Sequence, residues 1–330
     1  MAILKYKLKT PMGLGTAPLG NLFRNVPEEE AQETIQSAWD AGVRYFDTAP
    51  LYGAGLAEAR LGEVFKNTPR EEYLLSTKVG RIIKDETEKK EGLFEHGRQN
   101  QIEESYTEEA VLRSIEQSLE RLQTDRLDVV YVHDISPDFH GDHWHALFEE
   151  ARTGAFPALE RLKSEGVIQD WGIGVNTTVP IEMALELEDA HPTLSLQATH
   201  YTLLKHERSL QRLMPLSEKK GTGIVTGAPY NAGVLFGGDS EDYAPATPET
   251  QHRVREISRV AEKHGISLKA AALQFPLAHP AVEAVIPGST RPGRIHEDLA
   301  ALKEMIPAGF WQDLREAGLI APDAPVPQEK

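Results

Sequence analysis

Eight short apolar runs recur along this 330-residue chain, most of them followed by a stretch with helical periodicity. They read as strands over residues 13–20, 43–46, 73–79, 127–132, 170–175, 194–198, 223–227 and 282–286. Strands that alternate with helices are joined by crossovers, and crossovers build a parallel α/β sheet buried on both faces. Two architectures then compete. A doubly wound sheet carries G-x-G-x-x-G after its first strand, and the segment GLGTAPLG at 13–20 lacks that spacing. A closed (β/α)8 TIM barrel is therefore expected, with residues 1–330 as one domain, since such barrels run well past ~200 residues as a single unit. Residues 4–10 alternate Leu and Tyr with Lys and begin an expected N-terminal β-hairpin. Long loops at the C-terminal face are expected over 84–107, 135–152 and 230–248.

Helix punctuation agrees with this division. Pro27 followed by three Glu opens a helix, with proline in the first turn and acids at the positive end of the dipole. Val111, Leu112, Ile115, Leu119 and Leu122 repeat at helical spacing within 108–122. Residues 84–107 are rich in Lys, Glu and Gln and hold too little apolar surface to pack alone, which predicts a loop.

Composition removes several functions. The formal charge of −16 opposes a nucleic-acid footprint, which needs clustered Lys and Arg. With no cysteine there is no disulfide, thiolate metal site or thiol nucleophile, which fits a reducing cytoplasm. Residues 1–13 have no sustained apolar run and do not read as a secretory signal. No run of ~18 apolar residues exists to span a membrane. The expectation is a cytoplasmic protein with a small-molecule partner, as a monomer or small homo-oligomer.

In a barrel, reactive groups gather at the carboxyl ends of the strands. Asp47 and Tyr52 follow the second strand, Lys78 ends the third and His133 ends the fourth. Alone, Asp47 can cap a turn, Tyr52 can be a half-buried loop aromatic and His133 a satisfied core histidine. Lys78 tips the balance, because a lone ammonium in the run LLSTKVG is costly and needs an anion. Asp47 is the nearest candidate. A phenol beside that cation would have its pKa lowered from ~10, making Tyr52 a proton donor or acceptor usable near neutrality. His133 would add a hydrogen bond to the same substrate oxygen. His140, His143 and His145 have no acidic partners at defined offsets, so surface histidines rather than a metal site are expected.

The stretches GVRYFDTAPLYG, LLSTKVG, LERLQTDRLDVVYVH, GIGVN and IPGST, with RIHED after the last, resemble the aldo-keto reductase superfamily in order and over nearly the whole chain. GLGTAPLGNLF, FDTAPLYGAGLAEARLG and VHDI are similar to its subgroup of D-threo-aldose 1-dehydrogenases, pyridoxal 4-dehydrogenases and L-galactose dehydrogenases. The resemblance implies hydride transfer between a nicotinamide cofactor and a carbonyl or alcohol. It makes Tyr52 the general acid/base, Lys78 its pKa modulator, Asp47 the anchor of Lys78 and His133 the carbonyl-orienting group. It implies cofactor contacts at Asn176, Gln197, Gly227, Pro229, Gly288, Ser289, Arg294 and Asp298. Val175 replaces a frequent serine, and Gly227 stands where the family commonly stacks an aromatic ring. Arginine grips phosphate bidentately, so Arg294 favours NADP(H), with NAD(H) possible. Gly233, Gly237 and Gly238 would let a segment fold over the pyrophosphate or form an ordinary turn. Leu22, Leu51, Phe139 and Trp144 are candidate substrate walls, each with the alternative of packing under a loop. The subgroup suggests a sugar 1-dehydrogenase or pyridoxal dehydrogenase; reduction of a bulky ketone or aldehyde uses the same groups in reverse. A non-catalytic barrel subunit and an aldolase with Lys78 as Schiff base are the rivals.

Overall fold

The computed structural model describes residues 8–242 and 244–328. Eight parallel strands follow chain order around the sheet: β1 (Leu14–Gly15), β2 (Tyr45–Asp47), β3 (Leu74–Val79), β4 (Leu127–His133), β5 (Ile168–Val175), β6 (Leu194–Ala198), β7 (Gly223–Gly227) and β8 (Val282–Ile286). Parallel bridges Met12 to Val285 and Gly15 to Gly288 bring the last strand back against the first, and the barrel is nearly closed.

Period-two alternation along the strands separates two cores. Val43, Phe46, Leu75, Val130, Val132 and Ile173 face outward into the layer shared with the helices. Tyr45, Leu74, Val129, Tyr131, Leu194, Leu196, Val225, Ala284 and Ile286 fill the inside. Inward residues therefore include Tyr45 and Asp47 on β2, Ser76 and Lys78 on β3, and Tyr131 and His133 on β4. The register sets Asp47 opposite Ser76, Lys78 opposite Tyr131 and His133 opposite Gly174. The same alternation that fills the interior thus delivers three functional side chains to the upper rim.

Helices surround the sheet where the sequence places them. Glu28–Asp40 begins after Pro27 with Glu28, Glu29 and Glu30 in its first turn. Glu108–Leu122 is capped by the Thr107 hydroxyl, which accepts from the Ala110 N–H at 3.3 Å. Pro248–His264 and Leu268–Leu277 are capped in the same way by Thr247 and Ser267.

Several expected segments differ. The strand expected over 13–20 is reduced to Leu14–Gly15, because Pro18 lacks an N–H and Ala17–Gly20 forms a 3-10 turn. Most of the expected N-terminal hairpin lies outside the described residues. The expected loop 84–107 contains an antiparallel pair, Arg81–Thr87 with Asn100–Glu104, in which Ile83 faces Ile102. The alternation of a two-stranded ribbon was hidden by its charged, half-exposed side chains. Residues 135–152 are largely helical, Pro137–His140 and then Trp144–Thr153, because Trp144, Phe148 and Ala151 bury one stripe. Within 230–248, Asn231–Phe236 is a kinked 3-10 segment and Ser240–Glu241 pairs with Ala244–Pro245.

Candidate active site

Asp47 and Lys78 form a buried ion pair at the rim. Lys78 Nζ donates to Asp47 Oδ2 at 2.8 Å and to the Thr48 carbonyl at 2.7 Å, and Ser76 Oγ donates to Asp47 Oδ1 at 2.7 Å. Lys78 is 1% exposed and Asp47 2%. Burial holds the Asp47 carboxyl above its ordinary pKa, while Lys78 and Ser76 pull it down.

Tyr52 sits beside this pair on the loop after β2. The loop turns sharply, with Gly53, Ala54 and Gly55 all at positive φ (65°, 51° and 78°). It also presses on the first loop: a Cβ at Gly53 would lie 2.3 Å from the Gly20 carbonyl oxygen, and one at Gly20 would lie 2.5 Å from the Tyr52 carbonyl carbon. Only glycine fits either place. Lys78 Nζ lies 4.7 Å from the centre of the Tyr52 ring. The His133 ring meets that of Tyr52 edge-on, with centroids 5.9 Å apart, and Phe94 stacks on it at 5.9 Å and 29°.

The phenol's acidity departs from expectation. Burial, then Asp47 and Asp134, pushes the Tyr52 hydroxyl well above its ordinary pKa. The Lys78 charge is already committed to Asp47 and the Thr48 carbonyl, so the neighbouring carboxylates prevail. Tyr52 is thus held protonated and suited to donate. Burial, then the charges of Lys78 and Arg81, pushes His133 well below its ordinary pKa. It is a neutral imidazole that can donate one hydrogen bond to a carbonyl oxygen. Its Nδ1 has no hydrogen-bond partner, and its Nε2 lies 3.4 Å from Asp134 Oδ1.

Tyr52, Lys78 and His133 line a pocket of about 70 Å³ that also takes in Leu22, Leu51, Leu93, Phe94, Asp134, Phe139 and Asn176, while Asp47 borders the adjoining cleft. Through Tyr52, Leu22, Ala17, Leu196 and Ala198 it joins a cleft of about 540 Å³ that reaches Gly227, Gly288 and Arg294. A shallow groove of about 700 Å³ beside Lys269 and Glu297 holds none of the reactive groups.

The expected cofactor residues divide. Gly227, Gly288 and Arg294 line the cleft, as do Gly233, Gly237 and Gly238. Asn176 borders its catalytic end, its amide donating to Asp138 Oδ2 at 2.8 Å. Gln197 is held by Ser209, whose hydroxyl accepts from Nε2 at 3.0 Å. Pro229, Gln197, Ser289 and Asp298 do not border the cleft. The Ser289 hydroxyl is turned to the Arg291 backbone, donating to its carbonyl at 3.0 Å. Asp298 accepts from the Tyr230 hydroxyl at 2.8 Å and pairs with Lys269 at 3.0 Å. It therefore supports Tyr230, which does line the cleft. Of the expected substrate walls, Leu22, Leu51 and Phe139 face the pocket. Trp144 does not: it is 6% exposed and packs against Phe148 as the first residue of its helix.

Sequence reasoning missed several contributors, Tyr230 and Phe236 of the cleft among them. Leu93 and Phe94 reach the pocket from the tip of the charged hairpin, anchored where the Phe23 N–H donates to the Leu93 carbonyl at 3.1 Å. An apolar pair inside a charged run was the available signal. Asp134 and Asp138 carried none beyond proximity to His133.

The cleft fits a dinucleotide. It is largely apolar, has Tyr230 and Phe236 among its walls, and offers the guanidinium of Arg294. Small residues form its floor, where a Cβ at Gly227 would come within 3.1 Å of the Ala198 side chain. Among the described residues no group of His, Asp or Glu could hold a metal ion, and no helix is long and apolar enough to cross a membrane.

The sequence profile described as the Aldo/keto reductase family matches residues 11–318. The chain is 35% identical to a D-threo-aldose 1-dehydrogenase from Pseudomonas sp, covering 94% of each chain. It is 36% identical to a pyridoxal 4-dehydrogenase from Microbacterium luteolum, covering 94% of this chain and 95% of that one. Its fold is similar to an aldo-keto reductase from Bacillus halodurans in holo form, with a TM-score of 0.71 at 22% identity over 96% of this chain and 94% of the other.

Proposed function

Since this chain belongs to the aldo/keto reductase family, we propose that it is an NADP(H)-favouring oxidoreductase acting on a small hydroxylated carbonyl compound. The reading favoured by its relatives is oxidation of a D-threo aldose at the anomeric carbon. The observation that carries it is the buried Asp47–Lys78 pair at 2.8 Å with its ammonium 4.7 Å from the Tyr52 ring centre, Lys78 and Tyr52 lining one pocket with neutral His133.

The nicotinamide supplies or accepts the hydride when bound. The protein's own part is positioning and proton transfer. His133 and Tyr52 converge on one substrate oxygen; Tyr52 gives it a proton in reduction, and in oxidation its phenolate, formed by prior loss of that proton to solvent, receives the hydroxyl proton. Lys78, neutralised by Asp47, stabilises charge that develops on the phenol without leaving a net buried cation. Asn176, oriented by Asp138, would hold the carboxamide, and Gln197 would join it only by turning from Ser209. Arg294 would read the adenosine 2′-phosphate, and NAD(H) remains usable without that contact. Pyridoxal is a second reading, favoured by the stack of Phe94 on Tyr52 and the apolar walls.

The partner is a small molecule, neither nucleic acid nor membrane, in keeping with the charge of −16. We place the enzyme in the cytoplasm as a monomer or small homo-oligomer. The test is near-ultraviolet absorbance of the nicotinamide with L-fucose, pyridoxal and a bulky ketone, each with both cofactors. Turnover of the hydroxylated substrates, faster with the phosphorylated cofactor, is expected. No turnover of any carbonyl or aldose would refute the reading.

A further inference from the structure

Asp134 is a buried carboxylate that its neighbours hold only loosely. It is 4% exposed and borders the pocket. Its Oδ2 has no hydrogen-bond partner. The Arg81 Nη2 lies 3.9 Å from that oxygen, beyond hydrogen-bond reach. Arg81 is engaged elsewhere, donating to the Tyr106 hydroxyl at 2.8 Å and the Gly80 carbonyl at 3.1 Å, with Glu104 at 3.3 Å. The other oxygen of Asp134, Oδ1, lies 3.4 Å from the Nε2 of a neutral imidazole. A buried acceptor left unsatisfied costs about 1–3 kcal/mol, more when charged, so its survival needs a reason.

The backbone gives a second sign. Asp134 has φ +55°, a conformation few non-glycine residues adopt. It is held there at both ends: its N–H donates to the Gly174 carbonyl at 3.0 Å, and its own carbonyl accepts from the Ser136 N–H at 2.8 Å. The turn directs the carboxyl to the pocket edge beside His133. The facing wall is apolar, from Leu22, Leu51, Leu93, Phe94 and Phe139, and among the described residues Asp134 is the one carboxylate lining this pocket.

We infer that Asp134 is a specificity-determining residue that accepts a hydrogen bond from a substrate hydroxyl next to the reacting carbon, selecting α-hydroxy carbonyl compounds and their hemiacetals over plain aldehydes. His133 orients the reacting oxygen, and a vicinal hydroxyl lies about one hydrogen-bond length from that oxygen, within reach of Asp134 Oδ1, which stands 3.4 Å from His133 Nε2. The apolar wall cannot make this distinction, because hydrophobic pockets discriminate weakly against an added hydroxyl, whereas a polar group left unpaired discriminates strongly. The inference rests on the oxidoreductase reading for its substrate but not for its contact.

The test compares NADPH-dependent reduction of glyceraldehyde and propanal, which differ by two hydroxyls, through the ratio of their kcat/KM values. A charge-assisted contact predicts a wild-type ratio of roughly ten or more. Asp134→Gly, which suits the positive φ, should bring the ratio close to one. Asp134→Asn keeps a neutral acceptor and the backbone preference, and should fall between. A wild-type ratio near one, or a ratio preserved in both variants, overturns the inference. Should the wild type reduce neither aldehyde, the catalytic reading fails separately. Calorimetric titration of the NADPH-loaded protein with L-fucose then decides the contact: binding weakened about tenfold or more in Asp134→Gly supports it, and equal binding, or none in the wild type, overturns it.

Discussion

Replacing Asp134 with asparagine should make the protein more stable, and increasingly so as pH rises. Burial pushes this carboxyl up to about 7 from an ordinary 3.8; Arg81 and Lys78 pull it down, and Asp138 and Glu104 push it further up. Between these two values the folded protein holds a proton that the unfolded chain releases, so stability falls with pH across that window. At ~1.4 kcal/mol per pH unit, the gap amounts to roughly 4 kcal/mol once pH exceeds about 7. Asparagine cannot ionise, is nearly isosteric and tolerates the φ of +55°. The variant should therefore match the wild type within about 1 kcal/mol near pH 4 and exceed it by up to roughly 4 kcal/mol near pH 8. Contributions from Asp47 and Tyr52 are common to both proteins and cancel to first order in the difference. Urea unfolding at several pH values, extrapolated linearly, measures it. A difference independent of pH, or one that favours the wild type as pH rises, would refute the account of a carboxylate kept at the expense of the fold.

Other perturbations test the remaining parts. Tyr52→Phe should lower kcat by roughly 10²–10⁴-fold while NADPH affinity, read by fluorescence titration, is unchanged; retained turnover would dismiss Tyr52 as proton donor. Lys78→Met leaves Asp47 buried without its counter-ion and should cost about 3–5 kcal/mol of stability together with most activity; a chemical denaturation midpoint equal to the wild type's would contradict this. Arg294→Ala should raise KM for NADP by roughly 10- to 100-fold, the loss of one charge-assisted contact, with little change for NAD. Equal effects on both cofactors would show that the 2′-phosphate is read elsewhere.

The barrel was legible because its strands are apolar on both faces and its helices announce their ends, as Pro27 with three Glu and the caps Thr107, Thr247 and Ser267 do. Asp47, Lys78 and His133 were legible for a related reason: period two fixes which strand-end residues point inward, and a lysine in an apolar strand demands an anion. The acidity of Tyr52 was not, because it depends first on burial and then on Asp47 and Asp134, which only three dimensions bring near. Trp144 misled because aromatic character does not reveal whether a residue starts a packed helix or lines a loop. Leu93 and Phe94 were hidden in a segment whose average polarity says loop, while its isoleucines pair across a ribbon.

The close approach of Gly20 and Gly53 sets a boundary for anyone who wishes to reshape this enzyme. Randomised libraries aimed at substrate scope will reach naturally for the residues flanking Tyr52, yet a single methyl at either glycine would collide with the main chain of the opposite loop. Diversity belongs instead at Leu93, Phe94 and Phe139, which line the pocket from other segments of the chain.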